Sequence, residues 1–410
     1  MLENIRLFIC KISIDIIIIV LKCPIFHKMN IGFDAKRAFN NFTGLGNYSR
    51  TLLETLAKYY PKNRYLLFTP FVKEDPRLDF LKEYDSFKIH TPSGFNKKVP
   101  ALWRSYFIKE DILKEKIDIF HGLSHELPMK LPRGVKSVVT IHDLIHERYP
   151  EFYPFIDRKI YTAKFKAACE KADIVVAISE ATKQDIVEFY KIEERKIKVI
   201  YQSCHPQFYL KKEDVITSPT SVNLPPRPRE LGGAGSQYLL YVGTVNERKN
   251  LLGLVRAVEM LDKAVKIPLF VIGDGGAYFK KVKSYIHEKG LGNDVIFLKN
   301  VPFSDFPQIY RNAKALILPS FQEGFGIPII EALWSDCPVI TSVGSCFPEA
   351  AGPDSIYINP HKPHEIAAAI DKVLSNEVVR GRMILRGYEY VQQFHEKTIG
   401  EQWMKLYKEL

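Results

Sequence analysis

The six cysteines of this 410-residue chain (10, 23, 169, 204, 337 and 346) are scattered, with no C-x-x-C pair among them. That spacing offers neither a zinc site nor a disulfide framework, and it fits a reduced, cytoplasmic compartment. An Arg/Lys-rich tract and a recognisable nucleic-acid motif are also missing. The formal net charge of +11 therefore points to an anionic substrate or an anionic membrane surface ahead of nucleic acid. Long apolar runs are scarce. The strongest, Ile12 to Leu21, is flanked and interrupted by Lys11, Asp15 and Lys22, and it is too short to span a bilayer. It reads either as a weak signal-like or membrane-resting segment, or as incidental sequence ahead of a start at Met29. The second reading is preferred, because MNIGFDAKRAF reads as a fresh first strand.

What is present is a large folded chain: 46% hydrophobic and 26% charged residues, long enough for two substantial domains. From Met29 onward short apolar runs alternate with helical patterns, the signature of parallel sheets covered by helices. Strands are expected at Asn30–Phe33, Tyr65–Phe68, Ile117–His121, Ser137–Ile141, Ile174–Ile178 and Lys198–Tyr201, with helices such as Gly46–Tyr59 and Phe155–Lys171 between them. Residues 211–236 are rich in Pro, Gly and Ser and read as a linker or long loop. Alternation resumes at Tyr238–Val242, Pro268–Ile272, Val295–Phe297, Ala315–Leu318 and Pro338–Thr341. The expected organisation is an extension (1–28), a first Rossmann-like domain (29–210), the linker (211–236), a second Rossmann-like domain (237–392) and a terminal helical segment (393–410). Facing strand ends of two doubly wound domains would form a deep ligand cleft.

The most informative stretch is LPSFQEGFGIPIIEALW, residues 318 to 334. A strand breaks at Pro319 into a loop carrying Gly324 and Gly326, and a helix is expected to start near Pro328. Free N–H groups at such a helix start favour an anion such as a diphosphate. Glu323 and Glu331 flank that start in a Glu-x7-Glu spacing, suited to accepting hydrogen bonds from hydroxyls. A diphosphate flanked by polyols is a nucleotide sugar. Taken alone, the Glu pair is better read as two surface acids on an amphipathic helix; the accompanying motifs reverse that preference.

TGLGNYSR (43–50) opens a helix after the first strand, and Gly44 and Gly46 would let backbone N–H groups approach a phosphate or sugar. It lacks both the P-loop pattern and a full G-x-G-x-x-G, so alone it is a packing turn. YVGTVNERKN (241–250) repeats the arrangement in the second domain, placing Arg248 and Lys249 where they could neutralise a leaving diphosphate without a metal; alone, it is a solvated basic turn. VTIHDL places His142 and Asp143 directly after a strand. His142 and His146 stand four apart, but no further ligand is evident and the metal reading is set aside. His142 serves equally well as a site residue or a structural hydrogen-bonder. VIGDGG (271–276) and FHGLSHELP (120–128) read as a tight turn and a structural loop. The basic, aromatic stretch 152–171 reads as a surface helix, with contact to anionic lipid as its alternative.

In this order the motifs GLGNYSR, TIHDL, ADIVVAISEATKQDI, YVGTVNERKN and EGFGIPIIEAL resemble the retaining GT-B glycosyltransferases of family four, mannosyltransferase-like members in particular, over Met29 to Leu410. The resemblance implies a fold of two Rossmann-like domains facing a cleft, with a C-terminal helix crossing back onto the first. It implies that Lys249 and Arg248 bind the donor diphosphate, that Glu323 contacts the donor sugar or its phosphate, and that Glu331 binds the ribose. It implies donor contacts from Gly324, Phe325 and Gly326, a glycine loop at Gly44 and Gly46, and His142 beside the donor sugar, with Glu323, His142 and Lys249 at the reaction centre. The sequence departs from the pattern at Thr244, where many relatives carry arginine; Arg248 is the candidate replacement. No D-x-D site is needed, so neither a metal nor another cofactor is expected. The implied partners are a nucleotide-sugar donor (GDP-mannose ahead of UDP-sugars) and a saccharide or lipid-linked saccharide acceptor in surface-polysaccharide synthesis. The implied location is cytoplasmic, with peripheral contact at the inner membrane face. An epimerase of the same architecture and a non-catalytic sugar-nucleotide-binding scaffold are the alternatives.

Overall fold

Strand β1 (Asn30–Asp34) is buried from its second residue onward, and it leads into a short helix α1 (Lys36–Asn40) and then α2 (Gly44–Tyr59). The computed structural model describes residues 28–41, 43–209 and 237–410. Nearly all of the expected N-terminal extension and all of the expected 211–236 linker lie outside the described residues. After α2 come β2 (Arg64–Phe68), β3 (Phe87–His90), β4 (Ile119–Gly122), β5 (Lys136–Ile141), helix α3 (Phe155–Lys171), β6 (Ile174–Ala177) and β7 (Ile197–Val199). These strands form one parallel sheet in the order β3-β2-β1-β4-β5-β6-β7.

The second sheet repeats the plan. It contains β8 (Tyr238–Val242), β9 (Leu269–Ile272), β10 (Val295–Leu298), β11 (Ala313–Leu318), β12 (Val339–Ser342) and β13 (Ile356–Ile358), with α4 (Leu251–Met260) after β8 and α5 (Ile327–Trp334) after β11. Its order is β10-β9-β8-β11-β12-β13, again all parallel. Both sheets reverse direction of growth at one place, between β1 and β4 in the first and between β8 and β11 in the second. In doubly wound folds the crevice beyond the strand ends at that reversal is where ligands bind.

The expected strands are all present, with ends shifted by a residue or two. The sequence reading omitted β3 and β13, and both are sheet edges. β3 (FKIH) has no fully buried residue and β13 has only three residues, so neither carries the apolar run that marks a buried strand.

The last helix, α6 (Glu396–Glu409), crosses back to the first domain and packs on α2. Its buried stripe of Ile399, Trp403, Met404 and Tyr407 joins the first domain's core around Phe33, Leu53 and Leu56. Polar contacts fix its register: Glu396 accepts from Lys58 Nζ at 2.7 Å and from Tyr59 Oη at 2.9 Å, and Tyr407 Oη lies 2.7 Å from His121 Nδ1. Two further contacts tie the domains across the cleft. Glu349 of the second accepts from the backbone N–H groups of Glu180 (2.6 Å) and Ala181 (3.0 Å), and Ser179 Oγ donates to Gly324 O at 2.9 Å.

Candidate active site

Strand β8 runs into Gly243, whose φ of +146° is a conformation only glycine adopts readily. Asn246 then caps a single turn by accepting from Lys249 N, and left-handed Asn250 caps α4 by accepting from Gly253 N. Asn250 also donates to Pro319 O and Pro360 O. This pins the β8 turn to the loop after β11, so Arg248 and Lys249 are fixed against Glu323.

There the two cations grip one carboxylate. Arg248 Nη1 lies 2.8 Å from Glu323 Oε2 and Lys249 Nζ lies 2.8 Å from Oε1. Ser320 Oγ donates to Oε1 at 3.0 Å, and Arg248 also donates to Gln322 O. Burial acts to raise the Glu323 pKa, but Arg248 and Lys249 outweigh it and hold the carboxyl at about 2. Glu323 is therefore ionised throughout the working range, and the cluster carries one surplus positive charge at the second sheet's reversal point. Asp143 and Tyr153 of the first domain also bear on Arg248.

The loop beyond Glu323 meets the first domain directly. A Cβ on Gly324 would lie 2.1 Å from His142 O and 3.3 Å from Asp143 Cβ, so only glycine allows this approach. Phe325 is buried, with ring contacts to Tyr201 at 5.6 Å and Phe394 at 5.3 Å. Gly326, at φ +97°, turns the chain into α5, which begins at Ile327, one residue ahead of the expected Pro328. VIGDGG is a packing turn: a Cβ on Gly273 would lie 1.9 Å from Gly243 O.

His142 is buried, and both of its ring nitrogens are engaged. Nε2 lies 2.8 Å from Leu123 O and Nδ1 lies 3.3 Å from Gln202 Nε2; the ring packs edge-on to Tyr48 at 4.6 Å. Burial first, then His125, pushes its pKa down to about 3. In this arrangement His142 is a neutral, fixed wall, and the side of the residue turned to Gly324 is its carbonyl. His146 bonds Tyr190 Oη at 3.2 Å, and among the described residues no cluster of three or more His, Cys, Asp or Glu is set to hold a metal.

Glu331, unlike Glu323, lines a cavity of about 220 Å³. Asn47, Arg50 and His205 approach this cavity from the first domain, Phe303 and Ile327 from the second. Tyr310 Oη donates to Glu331 at 2.9 Å. Burial raises the Glu331 pKa to about 7 against that hydrogen bond. At the start of α2, the glycine loop differs from its expected form. A Cβ on Gly46 would lie 1.7 Å from Asn41 O, and the Gly46 N–H is directed at Thr43 O and Asn41 Oδ1. Gly46 is thus required by packing, while Gly44, with nothing within 4 Å of its Cβ position, stays open at the helix start.

The sequence reading missed Asn246, Asn250, Ser320 and Tyr310. The two asparagines carry a readable capping signal, since each precedes a helical turn. The Tyr310–Glu331 pair spans 21 positions and has no local signal.

Two parallel Rossmann-like sheets, each reversing its order once, and a C-terminal helix returned to the first domain define the GT-B class of fold. Residues 42–207 match the model described as Glycosyltransferase Family 4, and residues 228–390 match that of the Glycosyl transferases group 1. The chain belongs to the family-four, group 1 glycosyltransferases. It is 27% identical over 378 residues to the O-antigen chain mannosyltransferase B of Escherichia coli, covering 89% of this chain and 96% of the relative. It is 26% identical over 243 residues to the O-antigen chain mannosyltransferase RfbU of Salmonella typhimurium, covering 59% and 62% respectively. Among solved structures, Anabaena HepE in complex with UDP-glucose superposes with a TM-score of 0.71 at 18% identity, over 94% of this chain and 100% of that one.

Proposed function

We propose that the protein is a retaining hexosyltransferase that moves mannose from GDP-mannose to a saccharide or lipid-linked saccharide acceptor during surface-polysaccharide synthesis. The observation that carries this reading is the Arg248–Lys249–Glu323 cluster at the second reversal point, against the His142–Gly324 contact. Breaking the anomeric carbon–oxygen bond leaves negative charge on the diphosphate and positive charge on the sugar. Arg248, Lys249 and the start of α5 stabilise the first, and Glu323, kept ionised, faces the second. His142 positions the sugar as a neutral wall, and the departing phosphate receives the acceptor proton. Glu331 accepts from the ribose hydroxyls in the cavity. Mannose is favoured by the names of the relatives from E. coli and Salmonella; the UDP-glucose complex of HepE makes UDP-sugars the second choice. Among the described residues no helix is long and apolar enough to cross a membrane, and we place the enzyme in the cytoplasm with peripheral contact at the inner face. The direct test is release of nucleoside diphosphate from GDP-mannose with and without a lipid-linked saccharide acceptor. Acceptor-dependent release with the α-configuration kept in the product supports transfer. Isomerised nucleotide sugar without release identifies an epimerase, and binding without turnover a scaffold.

The charge of this site is supplied by side chains, so incubation with EDTA is expected to leave the transfer rate within about twofold, as no metal-borne transition-state stabilisation is lost. Loss of activity that Mg2+ or Mn2+ restores would contradict that.

Glu331→Gln separates two effects. Because the carboxyl pKa rises from 4.5 to about 7 in the fold, the native state keeps a proton that the unfolded chain has released between those values. Wild-type stability therefore falls as pH rises from about 4.5 through about 7. The glutamine variant should lose this fall and bind the nucleotide about tenfold more weakly, the scale of one charge-assisted hydrogen bond. Urea titrations at pH 5 and pH 8 check the first effect and calorimetry the second. An unchanged stability difference together with unchanged affinity removes Glu331 from the site.

A further inference from the structure

After β12 the chain makes a tight turn that the donor cluster does not account for. Gly344 and Ser345 are both left-handed, at φ +79° and +51°, a conformation uncommon for a residue other than glycine. What the turn gains is contact with the donor loop: Ser345 Oγ and Cys346 Sγ each donate to the carbonyl oxygen of Glu323 at 3.2 Å. The short helix Phe347–Ala351 starts there, anchored by buried Phe347 and Ala350. It carries Glu349 to the first domain.

Glu349 Oε2 accepts from Glu180 N at 2.6 Å and Oε1 from Ala181 N at 3.0 Å, the first N–H groups of a helical segment that runs to Tyr190. The Tyr201 hydroxyl is a third donor. All three donors are neutral, so the grip depends on distance and direction rather than on long-range charge. The same first turn also reaches the proposed reaction centre. Ser179 Oγ donates to Gly324 O at 2.9 Å, and Thr182 Oγ1 donates at 3.3 Å to His142 O, the carbonyl that faces Gly324. The ring of Tyr201 stacks on Phe325 at 5.6 Å. Successive carbonyls of the donor loop are thus held from opposite sides, Glu323 O by the turn that carries Glu349 and Gly324 O by the first domain. Glu349 joins the two holds.

We propose that Glu349 is a positioning residue for sugar transfer: its grip on the Glu180 and Ala181 N–H groups sets the closed domain position in which the loop from Glu323 to Gly326 meets His142. This rests on the glycosyltransferase reading and adds to it a residue outside the donor cluster. Arg248, Lys249 and Glu331 keep their own partners without this grip, so its loss reaches turnover and spares nucleotide binding.

The test compares the full-length wild type with Glu349→Ala, Glu349→Gln, Ser179→Ala and the double variant Glu349→Ala/Ser179→Ala. Three readouts are taken: GDP binding by calorimetry, initial rates of GDP release from GDP-mannose with octyl α-mannoside as acceptor, and small-angle scattering. Glu349→Ala should lower kcat about tenfold or more, the scale of losing charge-assisted hydrogen bonds. Its GDP affinity should stay within about threefold, and its radius of gyration should exceed that of wild type. Glu349→Gln keeps one acceptor oxygen for the two N–H groups and should fall between wild type and Glu349→Ala. Ser179→Ala should lower kcat about threefold or more, and the double variant should lose less than the product of the two single losses, because both residues act through one domain position. A kcat for Glu349→Ala within about twofold of wild type overturns the proposal. So does a loss that appears as weakened GDP binding, which would place Glu349 in the donor site, and so do fully multiplicative losses in the double variant. If wild type binds GDP but releases none from GDP-mannose, the transferase reading fails with that acceptor and scattering alone judges the grip. Equal radii for wild type and Glu349→Ala then overturn it, and a larger radius in the variant supports it.

Discussion

Lys249→Ala is expected to slow sugar transfer by about 10²–10³-fold, the usual cost of removing one preorganised group that stabilises developing negative charge. The geometry explains why so much rests on one ammonium. Lys249 Nζ shares Glu323 with Arg248, each at 2.8 Å, and its stem packs against the Cβ position of Gly243. Without it, Arg248 alone faces the buried carboxylate and the surplus positive charge of the cluster disappears. A donor diphosphate would then meet a neutral pair. Because the charge on the diphosphate grows as the bond breaks, the loss should fall on kcat as well as on donor affinity. Initial rates of acceptor-dependent nucleoside diphosphate release, measured across donor concentrations, resolve the two. A variant within about threefold of wild type in both terms would remove Lys249 from the reaction centre.

Gly324→Ala should be nearly as damaging by a different route. The added methyl would lie 2.1 Å from the carbonyl oxygen of His142, a backbone atom that cannot swing aside. The loop must retreat or the domains must part, and either movement strains the Ser179–Gly324 and Glu349–Glu180 hydrogen bonds across the cleft. Misplacing the two halves of a catalytic site by about 1 Å costs on the order of 10²-fold in rate. In the proposed reading the nucleotide is held by Arg248, Lys249 and Glu331 of the second domain, so its binding should stay within a few-fold. Small-angle scattering should show a larger radius of gyration for the variant than for wild type. Wild-type turnover in this variant would mean that the contact is not part of the productive closed state.

The strands that carry the site were legible because they are buried on both faces and read as continuous apolar runs, such as β8 (YLLYV) and β11 (AKALIL). The crevice could be anticipated from their alternation with helices, and the Glu-x7-Glu loop from its glycines. What the sequence could not show is how charge is distributed among these residues. Arg248, Lys249 and Glu323 come together only when β8 and β11 pair side by side, and the bonds of Asn250 to Pro319 and Pro360 cross 69 and 110 positions. Gly46 looked like a phosphate-binding glycine, but the approach of Asn41 explains it. His142 read equally well as a site residue or a structural hydrogen-bonder; the structure adds that Leu123 and Gln202 engage both of its nitrogens. Glu331 was legible as a candidate ribose ligand; its raised pKa follows from burial beside Tyr310, which no local pattern reveals.

The central claim is that a sugar nucleotide binds the cleft through the Arg248–Lys249–Glu323 cluster. Titration of GDP-mannose and of UDP-glucose into the wild-type protein and into Lys249→Ala tests it most directly. The account predicts saturable binding of at least one of the two, GDP-mannose first, that Lys249→Ala abolishes or weakens by more than tenfold. Absence of binding by both nucleotide sugars, or equal binding by wild type and variant, would contradict it.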